Sequence, residues 1–322
     1  MTKNRSLIAI VAVLLGALLL SQLDIRAGLF SNNALTATQI EGDTFPKTLT
    51  DAIGARYTLE QPPRRIVSMT IGTDEILARL VPPDRVVGIT GLADYPSLSN
   101  VTGHYPPATK RLQGNIEEIL SLEPDLVFIA SYTQAETVRQ LLGAGIPVVR
   151  LTDFSSFKDL ATNIRLVAAA TGSSPKAEQQ LTELQQLLNR IKNTYRNAPQ
   201  PRVLYYNLDG TTTGPGTTID EIIRLADGFN VISETGIQGS QTISEELAIS
   251  LAPDIILMGT GAPDNQDSTA MQLMQRPAWK NVPAVINRQV YSLKGAWLLS
   301  TSQYSWLAIE PVARLLHPEI KK

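Results

Sequence analysis

Short apolar runs separated by polar, helix-like stretches recur along most of this chain. RRIVSMT (64–70), RVVGIT (85–90), DLVFIA (125–130), IPVVRLT (146–152), RVLYYNL (202–208) and DIILMG (254–259) are nearly continuous in apolar residues. That is the pattern of strands buried on both faces. Between them the period changes to that of helices. TDEILARLV puts Ile76, Leu77 and Leu80 on one helical face, and NIEEILSLEP offers Asn115 as an N-cap with Glu117 and Glu118 in its first turn. QAETVRQLLGAG reads as a helix ended by Gly143 or Gly145. Alternating strand and helix predict mainly parallel sheets with helices on both faces.

The alternation is interrupted once. PKAEQQLTELQQLLNRIKNTYRNA, residues 175–198, has no breaker and fits one helix of about 36 Å at 1.5 Å per residue, with Pro175 in its first turn. Such a helix is longer than one lobe needs and can brace two. Strand and helix then resume through IDEIIRLADG, SEELAISLAP, RQVYSL and a closing helix, YSWLAIEPVARLLHP. The two parts resemble each other: SLEPDLVFIA (121–130) returns as SLAPDIILMG (250–259), and TDEIL (73–77) as IDEII (219–223). Pro124 and Pro253 disfavour helix in the residue before them and so separate helix from strand in each copy. The pattern predicts an N-terminal α/β lobe over 61–173, a connecting helix over 174–198 and a C-terminal α/β lobe over 199–322.

Composition adds constraints. A chain of 322 residues, 43% apolar and 18% charged, is ordinary for two globular domains. A formal net charge of -2 leaves no basic excess to neutralise phosphates, so no nucleic acid partner is expected. Lys3 and Arg5 precede LIAIVAVLLGALLL, an apolar run of roughly 14 residues that fits the core of a secretory signal better than a bilayer span of about 20. Residues 1–27 are therefore expected to direct export, either cleaved after Ala27 or kept as an N-terminal anchor, with 28–60 as a tether and a short strand leading into the fold. The chain has no cysteine, so stability rests on packing alone. Gln22 in LLSQ stands where a lipoprotein signal needs cysteine, so no lipid anchor is expected. The expected location is the periplasm or the outer face of the cytoplasmic membrane.

Catalytic constellations are hard to find. The two histidines, His104 in a loop and His317 beside Pro318, have no partner at metal-ligand spacing; His104 reads as a loop residue and His317 as a surface one. GTTTGPGT (210–217) lacks the lysine of a phosphate loop and reads as a turn, and GTGAP (259–263) lacks a third glycine. What remains are loops at the carboxyl ends of strands, where open parallel sheets bind ligands: SMTIGT with Thr70, TGLADYP, ASYTQ, YNLDGTTTG, GTGAP and KGAWLLS. Tyr95, Tyr132 and Trp297 lie in three of them. Each alone could be a packing residue, but together they predict a wall for a bulky organic ligand. The Asp-Glu pairs containing Glu75 and Glu221 read either as solvated first-turn acids or as two equivalent carboxylate knobs for a partner carrying arginines.

The ordered succession RRIVSMTIGTDEILARL, GITGLADYP, NIEEILSLEPDLVFIA, LLGAGIPVV, TIDEIIRLADGFNV, ISEELAISLAPDIILMG and RQVYSL resembles the ABC-importer substrate-binding proteins of the rigid-helix class, which take iron-siderophores, haem or cobalamin. The resemblance spans roughly residues 60 to 318. It implies two Rossmann-like lobes joined by one long backbone helix, a ligand cleft between the lobes, a monomer with no covalent cofactor, delivery to a membrane permease with its ATPase, and no enzymatic step. By position it assigns Glu75 and Glu221 to permease docking, with Arg224 standing where some relatives are acidic, and Tyr95 and Tyr132 to the cleft of the cobalamin-binding branch. Thr213 and Thr217 would line the opposite wall. Asp227 in LADG replaces a glycine common in relatives.

A ferric siderophore is the first expectation for the ligand, cobalamin the second and haem the third. Arg111, Arg150 and Arg276 are the basic residues nearest the loops that an anionic ferric chelate would use. Two competing readings are an exported α/β enzyme with Asp94, Asp209 or Glu245 as acid or base, and a membrane-anchored sensor subunit built on the same binding fold.

Overall fold

The apolar runs form two parallel sheets, each with helices against both faces. This computed structural model describes residues 38–51, 54–260 and 266–320; the segment read as a signal or anchor, and residues 261–263 of the GTGAP loop, lie outside them. Among the described residues no helix is long and apolar enough to cross a membrane.

The chain enters through an antiparallel sheet of three strands, β1 (Gln39–Glu41), β2 (Lys47–Thr50) and β3 (Arg56–Leu59), where the sequence suggests only one. The first parallel sheet follows, with β4 (Ile66–Ser68), β5 (Val86–Thr90), β6 (Lys110–Leu112), β7 (Leu126–Ala130) and β8 (Val148–Leu151) in the order β6-β5-β4-β7-β8. Its helices are α1 (Ile71–Leu80), α2 (Ile116–Ser121), α3 (Ala135–Gly143) and α4 (Phe157–Thr171). Gly172 ends α4 at φ 76°, and a Cβ there would lie 2.9 Å from the Phe45 ring, so glycine meets both the conformational and the steric demand. The connecting helix α5 (Ser174–Tyr195) has 22 residues and so spans about 33 Å. It stops before Ala198, which Pro199 disfavours for helix.

The second parallel sheet contains β9 (Arg202–Tyr205), β11 (Phe229–Asn230), β13 (Ile255–Thr260) and β14 (Val290–Lys294) in the order β11-β9-β13-β14, while β10 (Thr211–Thr213) and β12 (Ser240–Thr242) pair separately and antiparallel. Its helices are α6 (Thr218–Leu225), α7 (Glu245–Ser250), α8 (Gln266–Met274), α9 (Pro283–Ile286), α10 (Gly295–Leu298) and α11 (Ile309–Leu316).

The Ser-Leu-x-Pro-Asp echo has a structural cause. Asp125 accepts from the backbone N–H groups of Arg64 and Arg65 at 2.6 and 2.9 Å, and Asp254 accepts from that of Arg202 at 3.0 Å. In return the guanidinium groups of Arg65 and Arg202 hydrogen-bond the carbonyls of Leu122 and Leu251, which close α2 and α7. Each copy staples a helix end to the start of the neighbouring strand. The residue before each proline, Glu123 or Ala252, turns through a left-handed conformation at φ 45° and 44°. Asp227 is left-handed too, at φ 65°, which accounts for the glycine of relatives at that place.

Three apolar clusters hold the layers. One lies outside the first sheet around Val127, Ile129 and Leu141, and another outside the second around Ile256, Met258 and Trp279. The third is shared: Ile76 and Leu80 of α1, Leu184 and Ile191 of α5, Ile219 and Ile222 of α6, and Trp306 belong to one continuous cluster. The two lobes are thus welded along the connecting helix and not merely tethered by it.

Candidate functional site

The helices that follow the first strand of each parallel sheet begin alike, with a threonine cap and then the acidic pair. Thr70 caps α1 by accepting from the Thr73 N–H at 3.2 Å, and Thr217 caps α6 by accepting from the Asp220 N–H at 3.1 Å. Thr217 also donates to the Gly214 carbonyl at 2.9 Å, and Thr70 is only 5% exposed. Thr213 is 3% exposed. Of the hydroxyls that the sequence places along a ligand wall, those of Thr70 and Thr217 thus cap helices and that of Thr213 lies buried.

In the acidic pairs Asp74, Glu75 and Asp220 are buried and Glu221 is half-buried. Asp74 accepts from the Thr90 hydroxyl at 2.6 Å, and Asp220 from Asn230 Nδ2 at 2.8 Å. Glu75, 1% exposed, accepts from the Asn100 N–H and Nδ2 at 2.8 and 2.9 Å, and from the hydroxyls of Ser300 and Ser302 at 2.6 Å each. These serines belong to the second lobe. Gly72 permits the approach, since a Cβ there would sit 2.3 Å from Thr301 Oγ1. Glu221 makes the mirror contact: its carboxylate accepts from the Phe157 N–H at 2.6 Å and so caps α4 of the first lobe. Both glutamates reach across the lobe boundary. As drawn by this structure, Glu75 is not an exposed knob, because four donors surround it.

The exposed organic surface lies at the strand ends. Tyr95, after β5, is 58% exposed and Tyr132, after β7, is 66% exposed, with Leu92, Leu98 and Leu299 also uncovered. Tyr132 packs against Phe154 with ring centres 6.0 Å apart and ring planes tilted by 50°. Trp297, on α10, is half-buried, with the Lys294 ammonium 5.9 Å from its ring centre. Asn100 brings these pieces together, for its Nδ2 donates to the Ala296 carbonyl at 2.7 Å and its Oδ1 accepts from Lys294 Nζ at 3.3 Å. The loop carrying Tyr95 is thereby fastened to the helix carrying Trp297. Asn100, Lys294, Ser300 and Ser302 carry no local sequence signal beyond the polar LLSTSQ run at a strand end.

The loop arginines have partners. Arg111 forms a two-pronged ion pair with Asp94 at 2.9 and 3.0 Å, and Arg276 pairs with Glu245 at 3.0 Å. Arg150 donates to the Ser131 carbonyl at 3.3 Å. Arg111 holds the Asp94 carboxyl below the usual range, the Trp279 indole N–H and then Arg276 do so for Glu245, and hydrogen bonds from Thr211 do so for Asp209. His317, expected at the surface, is 1% exposed because it stacks on Tyr195 with ring centres 4.7 Å apart. Among the described residues no cluster of His, Cys, Asp and Glu could hold a metal ion.

Residues 66–296 match the periplasmic binding protein family. A cobalamin-binding protein of Halobacterium salinarum is 28% identical over 282 residues, which cover 84% of this chain and 73% of that one. An uncharacterized ABC transporter substrate-binding lipoprotein of Bacillus subtilis, YvrC, is 25% identical, with 97% of each chain covered. Among solved structures, the periplasmic haem-binding protein RhuT of Roseiflexus in its apo form superposes with a TM-score of 0.67 at 26% identity, covering 80% of this chain and 99% of that one.

Proposed function

Because the chain belongs to the periplasmic binding protein family, whose members bind substrates outside the cytoplasm and are not enzymes, we propose that it captures cobalamin for an ABC importer. The observation that carries this reading is the pairing of two facts at the strand ends. Tyr95 and Tyr132 expose broad ring faces there, while Arg111 and Arg276 are held by carboxylates. Large rings favour a ligand with an extended organic face. An anionic ferric siderophore, the first expectation from sequence, would have to compete with Asp94 and Glu245 for those arginines, against surface ion pairs worth about 1 kcal/mol or less each. The cobalamin-binding relative agrees with the same choice.

Docking on a permease through Glu75 and Glu221 acquires a condition under this reading. Each carboxylate is engaged with the other lobe, so arginines of a permease would replace Ser300, Ser302 and the Phe157 N–H as its partners. Docking and loosening of the lobes would then be one event.

Titration with cyanocobalamin, hemin and a ferric hydroxamate, followed by calorimetry, tests the proposal. Cyanocobalamin should bind at one site, and Tyr95→Ala and Tyr132→Ala should each weaken it about tenfold or more, as removal of an aromatic anchor does. Saturable binding of hemin or of the ferric chelate with none of cyanocobalamin would overturn the ligand assignment.

A further inference from the structure

A cavity of about 270 Å³ lies where the connecting helix meets the end of α1 and the segment from Gln303 to Glu310. It is separate from the strand-end surface: Arg79, in its wall, lies nine residues along α1 from the Thr70 cap, about 14 Å at 1.5 Å per residue. It is also far too small for a corrinoid. We propose that it is a second binding site, for a small amphipathic carboxylate.

Three features converge on that chemistry. One wall is a single stripe of α5, in which Gln180, Leu184 and Leu187 follow helical spacing, and Trp306 and Leu307 face it from the other side. These side chains suit a short hydrocarbon chain, and Leu307 is left 49% exposed. Second, Arg79 and Arg190 both line the cavity, both are exposed, and neither has an ion-pair partner among the described residues. The acidic residues of the lining are engaged instead: Glu310 with Arg314 at 2.7 Å, Glu183 with the Gln179 amide at 3.0 Å. The Gln179 amide leaves the Glu183 charge in place, so Arg79 and Arg190 give the lining an excess of one positive charge, and guanidinium groups match a carboxylate in geometry. Third, Gln180, Gln303 and Trp306 are each more than nine-tenths buried and each keeps a polar atom without a partner, namely two amide oxygens and the indole N–H. Buried polar groups are almost always satisfied, and three exceptions in the lining of one cavity point to a missing polar occupant. An ionised carboxylate, which accepts only, offers a partner to the indole N–H, while the two amide oxygens need donors that water brought in with it can supply. Because α5 joins the lobes and Gln303 donates to the Glu75 carbonyl at 2.7 Å, an occupant would touch the seam that holds them together.

Octanoate is the probe, with octylamine and 1-octanol as controls of equal chain length. Calorimetry should show one saturable octanoate site, at least tenfold weaker octanol binding and no octylamine binding. The Trp306 indole N–H resonance, assigned with Trp306→Phe, should shift during the octanoate titration. The double variant Arg79→Gln/Arg190→Gln changes only exposed side chains; it should lose at least tenfold in octanoate affinity and bind cyanocobalamin as the wild type does. Leu307→Asp should weaken octanoate by a separate route. The proposal is overturned if octanoate does not bind, if the indole resonance stays still because water alone fills the cavity, or if the double variant binds octanoate undiminished.

Discussion

Asp74 lies buried in the first turn of α1, with Thr90 donating to it through both hydroxyl and backbone N–H. Burial raises its pKa to about 7; hydrogen bonds from Ser68 and Thr90 oppose the rise and the neighbouring Glu75 charge adds to it. The consequence for stability has a definite sign. Below about pH 4 the carboxyl is protonated in both the folded and the unfolded chain. Between about pH 4 and 7 the unfolded chain ionises while the folded one keeps its proton, so stability falls by roughly 1.4 kcal/mol per pH unit, on the order of 4 kcal/mol in all. Above that window both forms are ionised and the loss is complete. Urea unfolding from pH 4 to 8 should therefore show a downward slope in the wild type that Asp74→Asn, neutral throughout, lacks. Parallel curves for the two proteins would contradict the assignment.

At the level of elements, the Pro-Asp staples offer a paired experiment, since the same device occurs twice with different numbers of donors. Asp125 satisfies two backbone N–H groups and Asp254 one. Removing a charged acceptor from such groups costs about 1.5–3 kcal/mol per bond before water compensates. Asp125→Ala should thus destabilise more than Asp254→Ala, by roughly 1 kcal/mol or more in denaturant unfolding; an equal or reversed order would show that the staples are not what the echo preserves. These elements were the easy part to read from sequence, because strands buried on both faces leave unbroken apolar runs such as Leu126–Ala130. Short polar strands leave no such trace: Lys110–Leu112, Thr211–Thr213 and Ser240–Thr242 have no apolar period to betray them. Tyr95 and Tyr132 could be placed at strand ends from sequence, whereas Glu75 could not be read as buried. An acid in a first helical turn looks solvated, and the serines that enclose Glu75 lie 225 and 227 residues away. His317 was hidden in the same manner, by a Tyr195 ring contributed from the far end of α5.

For the whole molecule, the decisive feature is that the lobes share one core. A hinge-bending protein keeps separate cores and moves about a few linker residues, but here α1, α5, α6 and Trp306 pack in a single cluster. Any wide opening would pull Ile76 and Ile219 away from the helix that both lobes share, exposing apolar surface at about 25 cal/mol per Å². Glu75 and Glu221 add a polar tie on each side of that seam. Small motion on binding is the expected result. The absence of native cysteine makes a clean measurement available, because Glu136→Cys on the first lobe and Gln241→Cys on the second introduce the only two sites for spin labels, both exposed. Electron double resonance should give a narrow distance distribution whose maximum moves by less than about 3 Å when cyanocobalamin is added, as in preorganised complexes. Glu75→Gln with Glu221→Gln should broaden that distribution without moving its maximum, since the ties are weakened while the shared core remains. A large ligand-driven shift in the unaltered protein would mean that the core yields on binding, and that the lobes do not act as one preformed receptor.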